Sequence, residues 1–238
     1  MIATYREISR LTRRSFLTGG IAAAAGFGTW LWIRNSFDEG EIPRPLRRAE
    51  EADDLISHAL FSEKRLAKTF GAAAIGEARV NGDIGLDGKP EADWKLMVAG
   101  AGPVSLDQIR ALPKVEQVTQ FKCIEGWNYI MKWSGAKLSD FAAAHAPDGL
   151  QKPWVGLETP DGEYYVGLDH ASAMHPQTLL AYEMNGQPLT SDHGAPLRLL
   201  IPVKYGVKNL KRIGKIRFSD ARPRDYWAEN GYDYDSGF

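Results

Sequence analysis

Two adjacent arginines followed at once by an apolar run divide this chain before anything else is read from it. Thr12-Arg13-Arg14-Ser15-Phe16-Leu17 leads into a stretch, Leu17 to Ile33, that is rich in Ala and Gly and uncharged up to Arg34. A charged start with an apolar run behind it reads as a twin-arginine export signal. No small-x-small cleavage site stands where one is expected. Gly26-Phe27-Gly28 is a poor substitute, and Thr29-Trp30-Leu31-Trp32-Ile33 continues the run. At about 17 residues the run is at the short end for spanning a bilayer, and its two Trp suit a membrane interface. The expectation is export by the twin-arginine machinery and a retained anchor over residues 1–36, leaving the protein on the periplasmic side of the inner membrane.

What remains of the 238 residues is enough for one sizeable core. The formal charge of −1 gives no global electrostatic case for nucleic acid or for an anionic membrane surface. Seven Trp, nine Tyr and nine Phe beside 24 Gly and 13 Pro point to a turn-rich domain with more sheet than helix. The lone cysteine rules out an intramolecular disulfide, and a free thiol in an exported protein is a liability unless buried or ligated.

Along the chain, Asp38 to Arg48 reads as a linker because Pro43 and Pro45 stand among charges. Glu50 to Phe70 has the apolar spacing of one or two short amphipathic helices, so 37–75 is linker and short helices. Gly76 to Pro90 is a Gly-, Asp- and Asn-rich loop entering the main domain, 76–238. Trp94 to Val98 is strand-like, Ser105 caps a helix, and Val115 to Cys123 alternates as a half-buried strand does. Leu138 to His145 is a short helix. Pro160-Asp161-Gly162 between Trp154–Glu158 and Tyr164–Val166 is a hairpin signal, and Leu197–Val203 and Ile213–Phe218 are further strands. The fold class is mixed α+β, rich in sheet.

Three features carry chemistry. Cys123 ends a predicted strand and offers a soft thiolate donor; the bland alternative is a small buried hydrophobe. Lys204, Lys208, Lys211, Arg212, Lys215 and Arg217 alternate with apolar residues, which would put cations on one face, or simply make a solvated one. Asp192-His193-Gly194-Ala195-Pro196-Leu197-Arg198 is a turn delivering an Arg suited to phosphate or carboxylate, or to a structural ion pair.

In combination and order these residues resemble the sulfite-oxidase-like molybdopterin family, which also holds periplasmic methionine-sulfoxide reductase catalytic subunits. The resemblance rests on Cys123-Ile124-Glu125-Gly126-Trp127 with Trp133-Ser134-Gly135-Ala136-Lys137-Leu138. It continues in Ala181-Tyr182-Glu183-Met184-Asn185-Gly186-Gln187-Pro188-Leu189, in 192–198, and in Pro202-Val203-Lys204-Tyr205-Gly206, covering residues 75 to 225. It implies a sulfite-oxidase-like fold and a molybdenum–molybdopterin cofactor in its mononucleotide-free form, with Cys123 the metal ligand. It implies further that Thr159, His193 and Arg198 contact the pterin or its phosphate. Asn209, Leu210 and Lys211 match a short cofactor-holding stretch, and Asn81 and Asp83 lie in a loop that aligns loosely with another. Glu125 is expected to share the cavity as a group that supports the metal site or handles protons, with an exposed loop carboxylate as the plain alternative.

Sulfite oxidases proper place basic residues just after the ligand cysteine, where this chain has Glu125, Gly126, Trp127, Asn128 and Tyr129. A carboxylate there repels sulfite, so reduction of an S- or N-oxide small molecule is the better expectation. With no C-x-x-C-H and no GxGxxG, electrons must be exchanged with a separate partner, for which the family points to a membrane haem protein. Two rivals remain: a cysteine hydrolase or transferase pairing Cys123 with His170, His175 or His193, and a non-enzymatic exported binding domain of the same fold.

Overall fold

The computed structural model describes residues 5–39, 42–62, 64–88, 90 and 93–237. It divides into two compact units, 1–52 and 53–238. In the first, α1 (Tyr5–Arg34) is one continuous helix whose stretch Arg14–Arg34 is long and apolar enough to cross a membrane. Strands β1 (Asp38–Glu39) and β2 (Ile42–Pro43) form a small antiparallel ladder, and α2 (Arg44–Leu60) carries the chain into the second unit. The expected linker over 38–48 is therefore helical from Arg44 onward. Pro45 sits in the first turn, where its missing N–H costs nothing, so it starts a helix here. The helix then stops at Leu60, well short of Phe70.

The second unit is a mixed α+β domain of two five-stranded sheets, as expected for this fold class. One sheet runs in the order β4 (Gly102–Ser105), β3 (Lys95–Val98), β12 (Lys215–Ser219), β7 (Trp154–Glu158), β8 (Tyr165–Asp169), with β12 parallel to β3 and the other pairs antiparallel. The other orders β10 (Gln187–Pro188), β9 (Leu179–Met184), β6 (Asn128–Lys137), β5 (Lys114–Lys122), with β11 (Arg198–Leu200) also on β9. Helices are short: α3 (Leu106–Arg110), α4 (Leu138–His145), α5 (His170–Ala173) and α6 (Tyr226–Glu229). Ser105 caps α3 in a reciprocal capping box with Gln108, as the sequence predicts. The main core gathers Leu96, Ile109, Leu138, Phe141, Leu157, Leu199 and Ile213 between the layers, and a second cluster forms around Met131, Trp133 and Leu179. Sequence periodicity missed β6 and β9 because both are central strands. Leu179–Tyr182 is buried on both faces, so it reads as a continuous apolar run without alternation.

The basic run does not lie on one face. Lys204 and Lys208 are buried and paired with Asp235 and Asp225. Arg212 reaches the Asp87 carbonyl at 3.0 Å and Ser191 Oγ at 2.8 Å, and Lys215 pairs with Glu158 at 2.7 Å. Alternation holds only along an extended strand, and residues 206–208 are a 3-10 turn that rotates these side chains apart.

Asp225 does three jobs: it neutralises Lys208, accepts the Gly167 N–H at 3.0 Å, and caps α6 through the Ala228 N–H at 3.1 Å. Asp225→Ala would strand the Lys208 ammonium in the core, and urea denaturation should show a loss of about 3–5 kcal/mol.

At the C-terminal segment, Asp233 shares a hydrogen bond with Asp54 of α2. Burial and that carboxyl neighbour push Asp233 up to about 7. Burial works against Asp54, but its bonds to Asp233, Arg222 and the Asp235 N–H hold it below the usual carboxylate range. Between about pH 4 and 7 the folded state therefore keeps on Asp233 a proton that the unfolded chain has released. The stabilisation is complete below that window and is lost as pH rises through it. Denaturation at a series of pH values should show the wild type weakening from pH 5 to 8 relative to Asp233→Asn.

Candidate active site

Strands β5 and β6 pair in register from Lys114↔Ala136 to Lys122↔Asn128, leaving residues 123–127 as the hairpin loop. The Cys123 carbonyl accepts the Gly126 N–H at 3.1 Å, and the Cys123 N–H donates to the Trp127 carbonyl at 2.9 Å. Gly126 has φ +88°, the left-handed position that closes such a turn with a bulge and that favours glycine. The loop aims the Cys123 thiol, half-buried, into a cavity of about 370 Å³. Glu125 stands at its edge, with one carboxylate oxygen held by the Trp127 indole N–H at 2.6 Å.

One wall is aromatic. Phe121 stacks on Tyr129 at 4.9 Å and 3°, and Trp127 continues the stack at 5.8 Å from Tyr129. A strap over residues 79–88 covers part of the opening. The Arg79 guanidinium lies 4.9 Å over the Trp127 ring, and Lys211 Nζ donates to the Asn81 and Gly82 carbonyls at 2.8 and 2.9 Å. Farther along, Gly85 (φ +73°) sits so close to Thr159 that a Cβ would meet its methyl at 2.4 Å.

At the base is Arg198, only 1% exposed. Its guanidinium donates to the His193 and Asn209 carbonyls, both at 3.2 Å, bonds the Tyr129 hydroxyl, and lies 4.9 Å over Trp133. Among the described residues no carboxylate pairs with it. A full cation buried against neutral acceptors is costly, and burial lowers its proton affinity. Lys211 is pushed down to about 8 by burial and then by the Arg198 charge. Behind Arg198, buried His193 has its Nδ1 without a hydrogen-bond partner among the described residues; burial, Arg198 and Lys211 lower its pKa and keep the ring neutral. Two cations at one end of the pocket, Arg198 and Lys211, form a cradle for an anionic group.

The structure thus brings Cys123, Glu125, Arg198, Asn209, Lys211 and Asn81 together on one cavity. Asn209 spends its side chain on Ile201 and Tyr205, so it shapes the loop and presents backbone. Four expected residues stand off the lining, among them His193, which is buried and gives its carbonyl to Arg198. Thr159 is buried and gives its hydroxyl to Asp161, Leu210 is in the core, and the Asp83 carbonyl caps the turn to Leu86. Tyr164, Trp227 and Tyr232 line the cavity and were not foreseen. The density of aromatics in Tyr226-Trp227 and Tyr232-Asp233-Tyr234 was the available signal. No histidine is on the lining, and burial pushes the Cys123 thiol up. His170 bonds the Lys152 carbonyl and His175 the Arg65 carbonyl. A cysteine–histidine nucleophile is not assembled.

A family profile described as the oxidoreductase molybdopterin-binding domain matches residues 84–227. The chain belongs to that family. It is a molybdopterin-binding oxidoreductase of the sulfite-oxidase-like class. Among its relatives, a protein of Azospira oryzae with the provisional name protein-methionine-sulfoxide reductase subunit YedZ1 is 31% identical over 94% of this chain and 86% of its own length. The protein-methionine-sulfoxide reductase catalytic subunit MsrP of Xanthomonas axonopodis is 35% identical over 95% of this chain and 74% of its own. The sulfane dehydrogenase SoxCD of Paracoccus pantotrophus superposes with a TM-score of 0.48 at 19% identity, over 55% of this chain and 39% of that one.

Proposed function

We propose that this chain reduces an S-oxide small molecule or side chain on the periplasmic side of the inner membrane. In this reading α1 is both twin-arginine signal and retained anchor, and a separate membrane haem protein supplies the electrons. The observation that carries it is the joining, in one aromatic-walled cavity, of the Cys123 thiol with a buried arginine that lacks a counter-charge. The names of the two relatives support the sulfoxide class, and Glu125 at the mouth argues against sulfite.

Cys123 is the proposed metal ligand, its sulfur fixed by the 123–127 hairpin. Arg198 and Lys211 would hold the cofactor's phosphate, and buried His193 would support that end through its carbonyl on Arg198. The proposed cofactor is the mononucleotide-free form, whose phosphate would be the group that Arg198 and Lys211 meet. When bound, the cofactor supplies two-electron oxygen-atom chemistry. The protein's own part is to orient and to exclude water. Phe121, Trp127 and Tyr129 give a neutral, flat surface for an uncharged sulfoxide. Glu125 keeps one oxygen on the Trp127 indole, leaving the other free to hold a proton near the leaving oxygen.

Protein purified after native export should hold stoichiometric molybdenum and pterin and should reduce methionine sulfoxide with a reduced viologen as donor, while failing to oxidise sulfite. Loaded enzyme that oxidises sulfite and leaves sulfoxides untouched would overturn the substrate assignment.

A further inference from the structure

Helix α2 is mounted the wrong way round for a soluble protein. Over its last turns Leu55, Ile56 and Leu60 are 72%, 57% and 68% exposed. Meanwhile Asp54, on the opposite side, meets the domain through Arg222 at 2.6 Å and the Asp235 N–H at 2.9 Å. An amphipathic helix normally buries its apolar stripe. Here polar contacts hold the helix down and the stripe points out.

The patch continues past the helix. Leu66 is 59% exposed, and Lys64, Arg65 and Lys68 around it are also exposed; the ion pairs among the described residues include none of them. Of the acids in the neighbouring sequence, Glu50, Glu51 and Asp54 pair with Arg47, Arg48 and Arg222, and the others are Asp53 and Glu63. A cavity of about 340 Å³ opens here, lined by Phe61, Leu66 and Val203 with Arg65, Lys68 and Asp235, the last neutralised by Lys204. The segment is firmly seated. Gln177 accepts the Ala67 N–H at 2.7 Å and donates to its carbonyl at 3.0 Å, and the Arg65 carbonyl bonds His175.

We propose that the last turns of α2 and the segment through Lys68 form a docking patch for an anionic phospholipid surface. Residues 35–43 separate α2 from α1, a tether of at most about 35 Å, so the helix starts within reach of the bilayer that α1 crosses. Aliphatic side chains flanked by cations suit lipid tails and headgroups. A protein interface would favour Trp and Tyr anchors, and the patch presents neither. The near-zero charge of the whole chain hides this local arrangement. The inference rests on α1 being a retained anchor.

The test uses full-length, cofactor-loaded protein in nanodiscs of phosphatidylcholine alone or with phosphatidylglycerol, followed by amide hydrogen exchange. Amides of residues 53–68 should exchange roughly tenfold more slowly in discs containing phosphatidylglycerol. Leu55→Ser/Ile56→Ser/Leu60→Ser should abolish that protection and leave dye-coupled turnover unchanged. Protein that does not co-elute with discs overturns the anchor and the patch together. Protein that co-elutes with unaltered exchange at 53–68 overturns the patch alone. Equal protection in both discs overturns anionic recognition, and protection that needs an added protein overturns the lipid as partner.

Discussion

Cys123→Ser should leave a folded protein that has lost both its molybdenum and its turnover. The hairpin loop is closed by backbone bonds and by Gly126, so it does not depend on the sulfur. A serine oxygen is a harder and far less acidic donor than a thiol and is a poor substitute on a soft metal. Losing an outer partner of a metal ligand costs roughly 10–100-fold, and losing the ligand itself should exceed that. Metal analysis and sulfoxide reduction should therefore fall together by more than about 10²-fold, with the thermal transition of the apoprotein unmoved. Full metal content in Cys123→Ser would remove the thiolate from the proposed site.

Arg198→Met carries the second large effect, and it has two opposite signs. Methionine removes a cation held on neutral acceptors and fills similar volume, so the apoprotein should be as stable as the wild type or more so. Pterin retention should drop, because truncating one partner of a buried charge pair costs about 2–5 kcal/mol, or roughly 30-fold to several thousandfold in affinity. Apoprotein melting and pterin content, measured on the same preparation, check both signs. A variant that is less stable yet keeps its pterin would make Arg198 a structural residue only.

Residues whose chemistry is local were legible in the sequence. Ser105 with Gln108, the Pro160-Asp161-Gly162 turn and the helix 138–145 all follow from neighbours a few positions away, and the structure has each of them. The same holds for placing Cys123 where a strand ends. What escaped depends on partners distant in the chain. Lys204 and Lys208 looked like a cationic surface because Asp235 and Asp225, which neutralise them, come later in a stretch with no periodic pattern. Trp227 stands on α6, which Asp225 caps and ties to Gly167, and Tyr164 is set at the cavity by its hydroxyl on the distant Val207 carbonyl. The role of Arg198 could be guessed from its turn, but its isolation from any acid could only be seen in three dimensions.

The cavity draws its lining from stretches far apart in the chain: 79–84, 121–129, Tyr164, 198–211 and 227–232. Occupancy there would couple to unfolding, since these stretches meet only in the folded domain. Mass action then makes the cofactor a global fastener: at a thousandfold excess over its dissociation constant it adds about 4 kcal/mol. Loaded and empty chains should differ in lifetime under proteolysis.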